Sequence, residues 1–573
     1  MTTLQEQWAQ DNKTWWRSVG TNGAQYYGRF TFCFANRWAT QKNFLYVIHN
    51  FGVISTEQFL SSQFQTIPGF KVRHAVAPDV NNTYSPTLAV GENGTLYVSN
   101  ELGLQYVDET GAAKAWPAIG QPVPPFNFLG SGPLSADLER DVESELAPRR
   151  NSRFFVRSLR PVIGDSEAFQ DVRFLEVAKC AATCVALSED GHLWYAGNAT
   201  ADFIEPASSF PDSNGNLNYF RESQATEYID STGTVTPDDA IQFQHIWGGA
   251  SALLAMAIDG RLFIKGSRFW LGQLRESRTF YEISGFVDEV SITAGGSGYT
   301  STPTVTVSAP DNADGSIAVV SAVQTSGVVT SLRLLDSGWG YTSAPTLTIS
   351  GGGGSGATAT ATLFTDTWQH ADMIFSPGPA MCVAAVSSEG TIYAWGDKVL
   401  NPNTFNNDTQ LVNSPQRMRG QTHSNYVSVA LITGDNIVAS GAALTSDGLI
   451  ETWGRSNTAS ERITPDKSNQ DNLTTYVSSD VFVKVDGGKQ MMALLTDDGR
   501  VLTYGNNGIY TGRANSTGLS NAHLSIGQID GDAQWSNIFL FQDLMILVRE
   551  EEVDSLGNRV NPLPPIFGPY AIH

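Results

Sequence analysis

Residues 492–506 read MALLTDDGRVLTYGN. An apolar strand runs into Asp-Asp-Gly and returns as a second strand ending in Tyr-Gly. Asp-Gly between two apolar runs signals a tight hairpin, because Gly supplies the positive φ that the turn needs. The same cadence recurs as TCVALSEDG (183–191) with HLWYAGN (192–198), LLAMAIDG (253–260) with RLFIKGS (261–267), and GAALTSDG (441–448) with LIETWGR (449–455). SEG at 388–390 leads into TIYAWGD (391–397), and ENG at 92–94 into TLYVSNELG (95–103). The turn glycines are Gly94, Gly191, Gly260, Gly390, Gly448 and Gly499, with gaps of 97, 69, 130, 58 and 51 residues. A unit near 51 residues with loop insertions accounts for every gap. The expected turn has two central residues, with Asp or Asn sharing the left-handed conformation. Trp395, Trp453 and Tyr504 occupy one slot on the returning strand.

Composition fits many short strands. The chain has 573 residues, 41% hydrophobic and 10% aromatic, with 54 Gly and only 16% charged residues. Its net charge is 35 − 57 = −22, which repels phosphate backbones and anionic lipid. No nucleic-acid partner is therefore expected, and PRRNSR (148–153) reads as a solvated loop. No segment has the ~20 apolar residues of a membrane helix, and MTTLQEQWAQDNKTWW lacks a signal-peptide core. Cys33, Cys180, Cys184 and Cys382 make no disulfide framework. CAATC is read as one strand bearing two buried thiols, roughly 13 Å apart.

An earlier copy, QKNFLYVIHNFG (41–52), aligns with ENGTLYVSNELG (92–103) and brings the count to seven. WSNIFLFQDLMILVREEEVD (535–554) has the upstream strands of a unit and a poor turn. The two chain ends are thus expected to share one blade, which removes exposed sheet edges. The units resemble the RCC1 propeller repeat in their apolar strand, Asp-Gly turn, LYxWG strand and trailing GQL-like turn. WLGQL (270–274) and SIGQID (525–530) match that last turn loosely. The resemblance spans most of 40–550 and implies an all-β, seven-bladed RCC1-like β-propeller closed by N- and C-terminal strands. Eight blades is the alternative if 535–560 forms its own.

The 130-residue gap holds a different pattern. GSGYTSTPTVTV (296–307) returns as GWGYTSAPTLTI (338–349), followed by SGGGGSGATATATL (350–363). Thr-x-Thr alternation is strand grammar, and the pre-proline residue favours extended backbone. The expected layout is an N-terminal arm (1–25), a first propeller part (26–287) with a loop insertion near 110–155, a small inserted duplicated β domain (288–364), a second propeller part (365–560) and a tail (561–573). A Gly/Ser linker is the alternative for the insert. The duplicated motif resembles a repeat of bacteriophage virion and tail proteins, which by association implies a virion protein assembled in the host cytoplasm.

Catalytic motifs are absent: no HExxH, GxSxG, P-loop or paired CxxC occurs. No catalytic residue, cofactor or metal is assigned. His245 and His370 read as scattered structural groups. Asp190, Asp259, Asp447 and Asp498 belong to turns. DNADGS (311–316) has oxygen ligands but lacks the closing Glu of a calcium loop. Leu134, Leu138, Val142 and Leu146 suggest a short amphipathic helix. Trp8, Trp15 and Trp16, with Tyr299, Trp339 and Tyr341, are the candidate interaction residues.

The leading expectation is a phage virion structural protein, tail-, baseplate- or fibre-associated, non-enzymatic, serving scaffold and host attachment. Its partners would be other virion proteins and a host glycan or receptor, in multiple copies. An RCC1-like regulator, either a guanine-nucleotide exchange factor or a protein-binding propeller, is one alternative. A surface-polysaccharide depolymerase is the other.

Overall fold

The computed structural model describes residues 171–180, 183–197, 217–223, 227–237, 241–249, 252–270, 274–375, 381–396, 412–418, 420–432, 440–453, 474–476, 478–488, 491–505, 523–528, 535–541 and 544–550. Before these it describes 72–76, 88–91, 94–98 and short strands between 26 and 161. Every named element is a strand, and none is a helix long and apolar enough to cross a membrane.

Seven antiparallel sheets carry the repeats. Sheet one orders Val72–Val76, Leu88–Gly91, Leu96–Val98 and Arg160–Pro161. Sheet two follows with Phe174–Lys179, Thr183–Ser188, Leu193–Gly197 and Leu217–Glu222. Sheet three has Phe243–Gly248, Ala252–Ala257, Leu262–Trp270 and Leu274–Glu282, and the hairpin Glu227–Ile229/Val235–Pro237 adds to it in parallel. Sheet four is Trp368–Phe375, Met381–Ser387, Ile392–Gly396 and Val412–Arg417. Sheet five is Tyr426–Ile432, Ser440–Thr445, Ile450–Trp453 and Thr474–Tyr476. Sheet six is Phe482–Gly488, Met491–Thr496, Val501–Gly505 and His523–Gln528. Sheet seven places Asn43–Ile48 beside Leu544–Glu550, which pairs with Asn537–Phe541. The first-named strands of sheets one to six, and Asn537–Phe541 of sheet seven, contact one another in succession, and Asn537–Phe541 also contacts Val72–Val76.

Packing explains why the second strands read as unbroken apolar runs. In sheet two, Cys184 and Ala186 join the core shared with sheet one. Val185 and Leu187 join the core shared with sheet three. Both faces are covered, so alternation of polar and apolar residues disappears. Sheets three and four repeat the division: Val383 and Ala385 face one way, Cys382, Ala384 and Val386 the other.

The turns differ from the two-residue form expected from sequence. The Gly91, Ser188, Ala257, Ser387, Thr445 and Thr496 carbonyls accept from the turn glycine N–H three residues on. In the five turns whose residues are all described only the glycine takes positive φ, from +75° at Gly390 to +85° at Gly191. This is a type I turn closed by a left-handed glycine, the three-residue hairpin. The acid before it keeps ordinary backbone and folds its carboxylate onto the turn: Thr496 Oγ1 donates to Asp498 at 2.5 Å. Five of the six glycines have a second duty. Phe174, Phe243, Trp368, Phe482 and Trp535 donate their N–H to the carbonyls of Gly94, Gly191, Gly260, Gly448 and Gly499 at 2.7–3.0 Å. The turn of one sheet therefore seats the first strand of the next.

Gly191→Ala tests this. An added Cβ would lie 2.7 Å from Gln242 Cβ at φ +85°, so stability should fall by about 1–3 kcal/mol, read from the urea midpoint.

Residues 287–363 form six strands paired among themselves: Val287–Ser297 with Ser355–Leu363, Thr304–Val307 with Leu347–Ser350, and Val319–Thr325 with Val328–Asp336. They enclose their own core of Val287, Val307, Val320, Leu334 and Tyr341. The duplication is structural. The Tyr341 hydroxyl accepts from Ala318 N–H at 2.9 Å, and that of Tyr299 from Ala357 N–H at 3.3 Å. Tyr299, Trp339 and Tyr341 are therefore buried core residues, not the contact residues expected from sequence. Their rings fill the space that the surrounding glycines leave. Asp311 of the DNADGS loop spends its carboxylate on Thr342 N–H (2.8 Å) and Oγ1 (2.6 Å).

Cys180 and Cys184 straddle a hairpin turn instead of sharing one strand, since Cys180 N–H donates to Thr183 O and Cys184 pairs with Lys179. Among the described residues Cys180, Cys184 and Cys382 form no disulfide, and all three are buried. Trp8, Trp15, Trp16, Cys33 and the helix expected near 134–146 lie outside the described residues.

Candidate functional site: the hub of the inner strands

In sheets two to six the inner strand opens with a large buried residue, then bulges by one position. The register shifts at Phe174/Glu176, Phe243/His245, Trp368/His370, Tyr426/Ser428 and Phe482/Lys484. Val72/His74 shifts in the same way in sheet one. A bulge re-aims the side chain after it. The residues at that position are His74, Glu176, His245, His370, Ser428 and Lys484, with Asn537 in sheet seven. Two residues further, one ridge on in a strand, stand Asp372 and Asp486. His74, Glu176, His245, His370, Asp372, Lys484 and Asp486 line one cavity of about 280 Å³, with Trp247 and Phe539 as apolar wall.

The inner strands are sheet edges, so their N–H groups need acceptors from elsewhere. Side chains of the preceding sheet supply them. Val177 N–H donates to His74 Nδ1 (3.3 Å), Ile246 N–H to Glu176 Oε2 (3.0 Å) and Val429 N–H to His370 Nδ1 (3.3 Å). Leu431 N–H donates to Asp372 Oδ2 (2.7 Å) and Leu540 N–H to Asp486 Oδ2 (2.9 Å). The hub is thus stapled from sheet to sheet by polar side chains. His245 turns back and meets Glu176 Oε1 at 2.6 Å. Lys484 Nζ donates to Asn537 Oδ1 at 2.8 Å and sits 4.0 Å from the Phe539 ring centroid.

Burial shapes the charges. It drives the His74 and His370 imidazoles down to about 4, as their acceptor role requires. It pushes Asp372 up to about 7, with Asp486 adding repulsion, and Asp486 up to about 6 against the pull of Lys484. Burial also lowers Lys484. The Glu176 hydrogen bond raises His245. Burial opposes ionisation of Glu176, yet His245, His74 and Ile246 N–H together hold it below its ordinary value.

The pH consequence has opposite signs on the two sides. A histidine depressed to about 4 gives stability that is lost as pH falls from its unfolded value of 6.5. An aspartate raised to about 7 gives stability that is lost as pH climbs from its unfolded value of 3.8. Asp372→Asn should therefore gain Tm relative to wild type on going from pH 6 to 8. His370→Asn should flatten the acid limb between pH 6.5 and 4. Parallel Tm curves for variant and parent would contradict this account.

Sequence reading treated His245 and His370 as scattered; the structure brings them together. His74, Glu176, Asp372, Lys484 and Asp486 were missed, because inner strands of different sheets lie far apart in sequence. The available signal was the polar residue two places after each opening residue, in FLE, FQH, WQH, YVS, FVK and WSN. Among the described residues no group of three His, Cys, Asp or Glu has metal-binding geometry.

Sheet, turn and hub together define an all-β protein of propeller-like sheets. Solved structures similar to it are RCC1-like or WD-like propeller proteins. Human WBSCR16 is 12% identical, with a TM-score of 0.46 over 84% of this chain and 87% of that one. Prp20p of Saccharomyces cerevisiae is 11% identical, with a TM-score of 0.35 over 77% and 92%. YCF48 of Cyanidioschyzon merolae is 8% identical, with a TM-score of 0.32 over 84% and 95%. Likeness of this degree carries no argument about activity. No protein-family model and no curated protein matches the chain.

Proposed function

We propose that the seven sheets close into a seven-bladed propeller, with Asn43–Ile48 completing the last blade, and that the ring works as a non-enzymatic, protein-binding platform. The observation that carries this is the mounting of the inserted unit. Its two ends are hydrogen-bonded, Phe364 N–H to Phe286 O at 3.0 Å. Phe286 and Phe364 stack at 4.8 Å, and Phe364 stacks on Trp368 of sheet four at 4.6 Å. Asp288 and Asp336 of the unit accept from Tyr393 (2.7 Å) and Ser414 (2.6 Å) of sheet four. A rigid disc thus holds a second β body in fixed orientation, which suits presentation better than turnover. The body shows a row of exposed hydroxyls, Thr358, Thr360 and Thr362 on one strand beside Ser291 and Thr293 on its partner.

Because its ends already meet, 287–363 is removable with a short linker. A photo-crosslinker at Thr360 should trap a defined protein neighbour in the native host, and the deletion should abolish co-purification of that neighbour while leaving the ring folded. No adduct, with unchanged assembly after deletion, would sink the reading. A nucleotide-release assay separates it from an exchange factor, and capsule-clearing plates from a depolymerase.

The duplicated GYTS-x-PT motif favours a second reading, a phage virion component assembled in the host cytoplasm and used for attachment. Mass spectrometry of purified particles decides it, and absence of the chain from them removes it.

A further inference from the structure

We infer that the hub cavity binds a small oxyanion, a phosphate or carboxylate group, through the imidazole edges of His74, His245 and His370 and the Lys484 ammonium. Valence decides what the cavity can take. His74 and His370 each accept a backbone N–H at Nδ1, so that nitrogen is bare and the proton sits on Nε2. Neither Nε2–H meets a protein acceptor among the described residues. His245 must carry a proton on Nδ1 to face Glu176 Oε1 at 2.6 Å, and in its charged form Nε2 carries another. One Lys484 donor goes to Asn537 and the ammonium lies over Phe539, leaving donor capacity for the lumen.

Each carboxylate oxygen in the same wall already accepts one hydrogen bond. Glu176 takes His245 and Ile246 N–H. Asp372 takes Met373 N–H at 2.8 Å and Leu431 N–H at 2.7 Å, one on each oxygen. Asp486 takes Gly487 N–H and Leu540 N–H, both at 2.9 Å. The imidazole and ammonium donors that face the lumen are the groups an anion would use. An oxyanion satisfies several at once, with a charge-assisted bond from Lys484. The apolar wall of Trp247 and Phe539 lowers the local dielectric and strengthens those bonds.

Affinity should rise as pH falls from 8 to 6. The titratable groups facing the cavity are His74 from sheet one, Glu176 and Lys179 from sheet two, His245 from sheet three, His370 and Asp372 from sheet four, and Lys484 and Asp486 from sheet six. Sheets five and seven contribute Val429, Phe539 and Leu540, which carry no charge. Over that range Asp372 and then Asp486 take up protons, while His74 and His370 stay neutral and keep their staples.

The test is calorimetric titration of the full chain with inorganic phosphate, and separately with acetate and citrate, against chloride at equal ionic strength and at pH 6 and 8. Saturable binding, tighter at pH 6, is expected. Preference for phosphate over the carboxylates, or the reverse, identifies the source. His370→Asn keeps an acceptor oxygen for Val429 N–H where Nδ1 stood and deletes the Nε2 donor. Lys484→Met keeps the stem and deletes the ammonium. Each should weaken binding about tenfold, or ~1.4 kcal/mol, and ligand-free circular dichroism confirms that each is folded. Absence of saturable binding by either anion class overturns the inference. So does binding that both folded variants leave unchanged.

Discussion

Glu451→Ala is expected to lower the stability of this protein by about 3–5 kcal/mol, the cost of breaking a buried hydrogen-bonded network. Glu451 lies on the third strand of sheet five, opposite Ala443. The equivalent pairs in other sheets are Ala186–Trp194, Ala255–Phe263 and Ala385–Tyr393. A carboxylate thus fills an aromatic slot, and its side chain is fully buried. Four donors surround it. Thr422 Oγ1, His423 Nδ1 (2.9 Å) and Thr475 Oγ1 (3.0 Å) converge on Oε1, and Tyr426 donates its hydroxyl to Oε2. Truncation orphans the Tyr426 hydroxyl and Thr475 together, next to the seat of the sheet-five inner strand. Glu451→Gln retains one acceptor oxygen and should fall between alanine and wild type. Chemical denaturation of the three proteins gives the ranking. Equal midpoints for Glu451→Ala and wild type would show the network to be idle.

Trp368→Ala is expected to cost a similar amount, about 3–5 kcal/mol, with a second and more local effect. Trp368 is almost wholly buried. It stacks on Phe364, meets Tyr393 at 5.4 Å, donates Nε1–H to Ile283 O at 3.3 Å and its backbone N–H to Gly260 O at 2.7 Å. One ring therefore joins sheet three, sheet four and the root of the inserted unit. Its loss should expose the junctions near 286 and 364 to protease before the sheets melt. Trp368→Phe keeps the stack, forfeits one hydrogen bond of about 1 kcal/mol, and should leave the junctions protected. If the alanine variant shows no early cleavage, the insert is anchored by something other than this stack.

How much of this was legible beforehand depends on the range of the forces involved. The turn glycines could be read because positive φ is a local demand that few side chains meet. The apolar runs of 183–188 and 252–257 could be read as strands because they are bounded by turns. The same locality misled on the turn type. Asp-Gly fits both the two- and three-residue hairpin, and the three-residue form was chosen here because the glycine carbonyl must reach the next sheet. Tyr299, Trp339 and Tyr341 looked like contact residues because a sequence shows size and polarity but not which face is covered. The burial of Glu451 could not be read at all, since nothing local announces that Thr422, His423, Tyr426 and Thr475 will surround it.

By itself, then, the sequence determined that the chain is built of repeated hairpins of short strands with a duplicated β unit set between two of them. Those features follow from backbone conformation and from burial within one repeat. Only the tertiary structure decided that His74, Glu176, His245, His370, Asp372, Lys484 and Asp486 share one cavity, and that His74, Glu176, His370, Asp372 and Asp486 hold neighbouring sheets by their edge N–H groups. Edge strands must find acceptors across space, and the strands that supply them are neighbours in the fold while tens of residues apart in the chain.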